Sequence, residues 1–125
     1  MKVNFNDSTP IFRQIADAIE DDILSGKLKE GDNCYSQIDI ARELSINPAT
    51  AQKGIRLLVD AGELEKVRGQ SMVVKTGAVS MIRKKKTEGV LLEMIDRLVT
   101  EAKKLGIDAS DLIDKVVSAY DEEEK

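Results

Sequence analysis

Apolar positions return at helical spacing in five blocks, separated by short stretches rich in turn residues. Phe12, Ile15, Ala16, Ile19 and Ile23 make the first stripe, with Asp17, Glu20 and Asp21 outside it. Thr9-Pro10 reads as a cap followed by a proline start, and Ser25-Gly26 as a left-handed stop. Ile40, Ala41 and Leu44 form a short second stripe behind Ser36-Gln37-Ile38-Asp39, a capping box with Asp in place of the more usual Glu. Asn47-Pro48 opens a third helix. Its inner face is Ala51, Ile55, Leu58 and Val59, and Gly62 ends it. Before these blocks, residues 1–9 read as an extended polar segment on which Val3 and Phe5 alternate toward the body. Lys27 to Asp32 reads as a loop.

The period then changes. Leu64 to Val67, Arg68 to Ser71 and Met72 to Thr76 read as strand, turn and strand, a hairpin with a glycine in its loop. Helix, helix, short turn, helix and hairpin is the order of a winged helix-turn-helix. After Gly77 the chain carries four cations, Arg83 to Lys86, read as a solvated helix start or linker, with extra phosphate contact as the alternative. Leu91, Ile95, Leu98, Ala102 and Leu105 then step by four and three, with Val90, Met94 and Val99 widening the stripe. Lys104-Leu105-Gly106 closes this helix, and Asp108 to Asp111 resembles another capping box. Leu112, Ile113, Val116, Val117 and Tyr120 line a last short helix ahead of an acidic tail, residues 121–125. The expected fold class is α+β, mainly α. A winged helix-turn-helix domain over residues 1–77 is followed by a two-helix dimerisation hairpin over residues 78–125.

The outer face of the third helix suggests the chemistry. Ala49, Thr50, Gln52, Lys53 and Arg56 offer a small residue, a hydroxyl, an amide and two cations, a set that suits the major groove of DNA. At the hairpin tip, Arg68-Gly69-Gln70 places a cation and an amide beside a permissive glycine, able to reach a phosphate or the minor groove. Composition narrows the classes. The 125 residues hold no histidine, which removes the commonest general base and metal ligand. The one cysteine, Cys34, supports neither an internal disulfide nor a metal site. Aromatics at 3% argue against stacking on single strands. No apolar run has membrane-spanning length and the N-terminus lacks a signal-peptide core, so a cytoplasmic protein without cofactor or enzymatic site is expected. The net charge of −4 opposes nucleic-acid binding mildly. Between Arg42 and Lys75, however, six cations face four acids, a local +2 that coincides with the third helix. Arg42 and Arg56 belong to this candidate surface, although either could instead pair with a neighbouring acid.

The two C-terminal stripes can pack on each other and on the first helix, or across a dimer. The dimer is favoured, because two broad stripes exceed the apolar surface a monomer usually leaves exposed. The interface would comprise Leu91, Met94, Ile95, Leu98, Val99, Ala102 and Leu105 on one helix and Leu112, Ile113, Val116, Val117 and Tyr120 on the other.

Several runs resemble the GntR family of bacterial transcription regulators. They are Thr9 to Ile15, Ile23 to Asp32, Ile46 to Lys53, Asp60-Ala61-Gly62-Glu63-Leu64 and Arg68-Gly69. The Asn-Pro-x-Thr-x-Gln-Lys run and the short helical C-terminus look like the YtrA-type subfamily. The resemblance covers roughly residues 3–76, and the remainder by length and character only. It implies a homodimeric repressor on a palindromic double-stranded DNA operator. Base and phosphate contacts fall on Asn47, Pro48, Ala49, Thr50 and Gln52, a backbone contact on Lys53, wing contacts on Arg68 and Gly69, and second-helix contacts on Ser36 and Gln37. The chain departs from the family pattern at Cys34-Tyr35-Ser36, where Leu-Pro-Ser is usual. It departs again at Ile38, where an Arg that reaches DNA is usual, and at Ser71 and Val73, where the wing usually has Gly and an aromatic. The Ile38 departure and the net acidity motivate the alternative, a winged-helix interaction module without specific DNA binding. A small-molecule effector of unspecified identity fits either reading, since no residue cluster specifies a ligand.

Overall fold

Three isoleucines spaced by four, Ile15, Ile19 and Ile23, are each at most 1% exposed. They commit helix α1 (Ile11–Ser25) to the centre of the core. Each such side chain contributes about 1.5–3 kcal/mol through burial. The computed structural model describes residues 1–123. The start of α1 differs from the expected cap. Pro10 itself occupies the N-cap and no side chain caps the helix. Gln14 ties down the preceding segment instead: its amide accepts from the Asn4 N–H (2.7 Å) and donates to the Asn4 and Thr9 carbonyls (2.9 Å each). Val3 packs on the core as expected, whereas Phe5 is 60% exposed. Gly26, at φ 86°, ends α1 in the left-handed conformation.

Helix α2 (Gln37–Leu44) is capped by Ser36, whose hydroxyl accepts from the Asp39 N–H (3.0 Å). Helix α3 (Pro48–Asp60) follows after three residues, with Ser45 in the left-handed region at φ 55° providing the reversal. Both α1 and α2 pack on α3. Ala51, Ile55 and Leu58 fill the contact as expected, and Val59 is half-buried. Gly54 is also buried on this face. A Cβ there would stand 2.8 Å from the Phe12 carbonyl oxygen and 3.0 Å from Ile15 Cγ2, so the glycine sets how closely α1 and α3 approach.

Strands β1 (Leu64–Lys66) and β2 (Met72–Val74) pair antiparallel, with Leu64 opposite Val74 and Lys66 opposite Met72. The expected loop before α2 contributes a further edge. Gly31 N–H donates to Val74 O, Val74 N–H to Asp32 O and Cys34 N–H to Met72 O (2.7–2.9 Å), and Asn33 bridges Val73. One glycine and four polar residues from Lys29 to Asn33 hide this pairing from a hydrophobic pattern.

The first compact unit runs Met1–Lys85, past the boundary expected at residue 77, because helix α4 (Ala78–Glu88) completes the core with Ala78 and Ile82, each 0% exposed. The four-cation run is therefore helical rather than linker. Lys85 turns inward to Glu20 and Glu63, which are 3% and 1% exposed.

The second unit, Lys86–Lys125, holds helices α5 (Val90–Lys104) and α6 (Ala109–Glu123). A Schellman turn ends α5: Ile107 N–H donates to Ala102 O, Gly106 N–H to Lys103 O, and Gly106 takes φ 71°. Asp108 accepts from the Asp111 N–H (2.9 Å), half of the expected capping box. The acidic tail continues α6 to Glu123, and its last two residues lie outside the described ones.

Candidate nucleic-acid interface

The first turn of α3 is built by its own sequence. The Asn47 side-chain oxygen accepts from the Ala49 N–H (2.8 Å), and Pro48 stands at the first helical position. This commits one end of the Asn47 amide to the helix and leaves its NH2 as the end able to reach a base edge. With Ala51, Gly54, Ile55 and Leu58 buried, the opposite side of the helix faces outward. Ala49, Gln52, Lys53 and Arg56 come together there around a shallow hollow of about 230 Å³. Ala49, Lys53 and Arg56 are exposed, and Thr50 and Gln52 half-buried.

Lys53 has a partner the sequence pattern does not suggest. Its ammonium lies 4.1 Å from the centroid of the Phe12 ring, and the Arg13 guanidinium carbon lies 5.6 Å from the same centroid. The ring's negative face attracts both cations. Phe12, expected in the core, is half-buried and holds positive charge beside the start of α3. Residues 12 and 13 are adjacent in sequence, but only the α1–α3 packing brings them to Lys53.

The hairpin tip is a tight turn in which the Gln70 N–H donates to Val67 O (3.0 Å). Gly69 takes φ 79° at the third position, as a type II turn requires. Lys66 Nζ braces the turn on the Gln70 carbonyl (2.8 Å), while Arg68, Gly69 and Gln70 are all exposed. Ser71 has no positive φ and its hydroxyl donates to Cys34 O (3.4 Å), so the glycine usual at that position is not needed here.

On α2, Ser36 and Gln37 are half-buried, Arg42 is exposed, and Ile38 leaves 57% of itself in solvent. Just upstream, Tyr35 donates its hydroxyl to Asp22 on α1 (2.5 Å), tying the approach to α2 onto the body. Burial, then that hydrogen bond, pushes its phenol well above the ordinary range. Cys34 is buried beside it, and burial raises its thiol to about 11.

The residues expected at a dimer interface fall on α5 and α6. Leu91, Met94, Ile95, Leu98, Val99 and Leu105 are 37–72% exposed, and Ile113, Val116, Val117 and Tyr120 are 39–69% exposed. Leu112 is half-buried, and Ala102 at 5% is already covered. No described helix is long and apolar enough to cross a membrane.

No family model matches the chain. MngR, the mannosyl-D-glycerate transport/metabolism system repressor of Escherichia coli strain K12, is 34% identical over 71 residues. That stretch is 57% of this chain but only 30% of MngR. The HTH-type transcriptional repressor YtrA of Bacillus subtilis strain 168 is 26% identical over 113 residues, 90% of this chain and 85% of YtrA. A GntR family transcriptional regulator from Listeria monocytogenes superposes with a TM-score of 0.75 at 26% identity. The match covers 91% of this chain and 98% of the Listeria protein. The chain is similar to regulators of the GntR family in sequence and in fold. The likeness covers about nine tenths of this chain and most of YtrA and of the Listeria regulator, while the chain spans less than a third of MngR.

Proposed function

We propose that this protein is a GntR-family, homodimeric, sequence-specific DNA-binding transcription regulator, acting as a repressor on a palindromic operator. The observation that carries the reading is the exposed start of α3, where Ala49, Gln52, Lys53 and Arg56 share one hollow on a helix whose other side is core. Such a helix end fits the major groove, with Gln52 suited to a base edge and Lys53 to a phosphate. The exposed tip at Arg68-Gly69-Gln70 adds a wing contact, with Ser36, Gln37 and Arg42 toward the backbone. The apolar faces of α5 and α6 supply the dimer contact, and two copies would read two half-sites about one helical turn apart. MngR and YtrA are both named as repressors, which supports the direction of regulation.

The test is a fluorescence titration of duplexes selected from a random-sequence library, repeated across salt concentrations. Gln52→Ala changes base preference at one position by ~1–3 kcal/mol, whereas Lys53→Ala weakens binding to all sequences and lowers the salt slope by about one. Variants that bind like wild type would sink the assignment of α3. A second reading, an interaction module without specific DNA binding, draws on Ile38 exposed at the head of α2. It predicts no binding of mixed duplex DNA by micromolar protein at low salt.

A further inference from the structure

Lys53 belongs to two places at once. It lines the hollow at the exposed start of α3, beside Ala49, Gln52 and Arg56. Its ammonium also lies 4.1 Å from the centroid of the Phe12 ring, on the neighbouring helix α1. The next residue along α3 prepares this contact. Gly54 carries no side chain, and the Phe12 carbonyl oxygen stands 2.8 Å from where a Cβ would be. The two backbones therefore meet at Phe12 itself, one residue away from Lys53. Phe12 is half-buried rather than enclosed, which leaves ring surface for a cation.

A lysine on an exposed helix face samples many rotamers, and fixing it on a phosphate costs that freedom. A carboxylate partner would fix it in advance but would cancel the charge that the phosphate attracts. An aromatic ring holds an ammonium through its quadrupole and carries no net charge. It orients the cation and leaves the positive charge intact. Arg13, whose guanidinium carbon lies 5.6 Å from the same centroid, raises the positive potential at that spot. We infer that Phe12 is a positioning residue for DNA binding: its ring pre-sets the Lys53 ammonium for a backbone phosphate, so that part of the affinity of the α3 surface depends on α1. The role rests on the DNA-binding reading above, in which Lys53 meets a phosphate.

The probe is a duplex that the wild-type full chain selects from a random-sequence library, titrated by fluorescence with wild type, Phe12→Leu, Lys53→Ala and the double variant. Phe12→Leu keeps an apolar side chain and should weaken binding by roughly two- to fivefold per protomer. The loss should be the same on duplexes changed at single base pairs, because a phosphate carries no sequence. In the Lys53→Ala background the same substitution should cost nothing further. Pentafluorophenylalanine in place of Phe12 keeps the outline of the ring and reverses its quadrupole, and it should weaken binding at least as much as leucine does. Thermal melts confirm that each variant is folded, and if Phe12→Leu is not, the fluorinated ring decides alone. Equal losses with and without Lys53 would mark Phe12 as a packing residue and overturn the inference, as would wild-type affinity with the fluorinated ring. If Lys53→Ala binds as tightly as wild type, there is no phosphate contact to position, and the inference falls while DNA binding stands. Failure of wild type to select any duplex overturns both.

Discussion

At the scale of single residues, Gly54 shows how a position without a side chain can hold a fold together. Ala is normally the better helix residue by about 1 kcal/mol. At Gly54, however, the added methyl would meet the Phe12 carbonyl at 2.8 Å, and backbone cannot rotate away. Overpacking costs about 1–3 kcal/mol, so Gly54→Ala should lower the urea midpoint, and an unchanged or higher midpoint would contradict the close-approach argument. Glu63 makes a second residue-scale prediction. Burial first, then neighbouring Glu20, raises its carboxyl from 4.5 to about 7 against the opposing pull of Lys85. Between those values the folded protein keeps a proton that the unfolded chain has released, so stability is greatest at the acid end and falls as pH rises toward 7. Chemical denaturation at half-unit pH intervals should show that decline in wild type and a flatter profile in Glu63→Gln. The sequence pattern marks the polar face of α3 but neither of these residues. Gly54 reads as a weak helix position until α1 lies against it, and Glu63 reads as an ordinary turn acid until Lys85 arrives from α4.

At the scale of elements, caps and stripes were legible because they are local. Ser36 and Asn47 cap their helices through side chains two or three residues away from the amides they satisfy, and Gly26, Gly69 and Gly106 take the positive φ that their places after helices or within a turn require. Distant partners were not legible. The cap of α4 is Glu30, forty-seven residues upstream of Gly77, and residues 31–34 join β2 through backbone groups that carry no side-chain signature. Asn47 combines a cap with a place at the proposed DNA-facing end, and two substitutions separate these roles. Asn47→Ser keeps a capping oxygen and should hold stability within a few tenths of a kcal/mol, whereas Asn47→Ala should lose about 1 kcal/mol. If Asn47→Ser nonetheless binds selected duplex as well as wild type, the amide NH2 has no role in base reading.

At the scale of the whole molecule, the two units differ in how they satisfy their apolar residues. The first encloses its stripes around Ile15, Ile19, Ile55 and Ile82, while α5 and α6 keep theirs largely in solvent. A second copy is the proposed cover, so Leu98→Glu should shift the sedimentation of the full chain toward monomer at micromolar concentration, and an unchanged profile would remove α5 from the interface. Heptad spacing made these stripes visible in the sequence, and Ala102 alone among the α5 positions proves to be already covered. Cys34 has a practical consequence. Burial raises its thiol to about 11, which keeps it protonated at neutral pH, and Cys34 is itself buried within the segment paired with β2. An alkylating reagent can therefore reach it only when that edge peels away, so the labelling rate becomes a built-in clock for the breathing of the hairpin, read from one atom without any engineered probe.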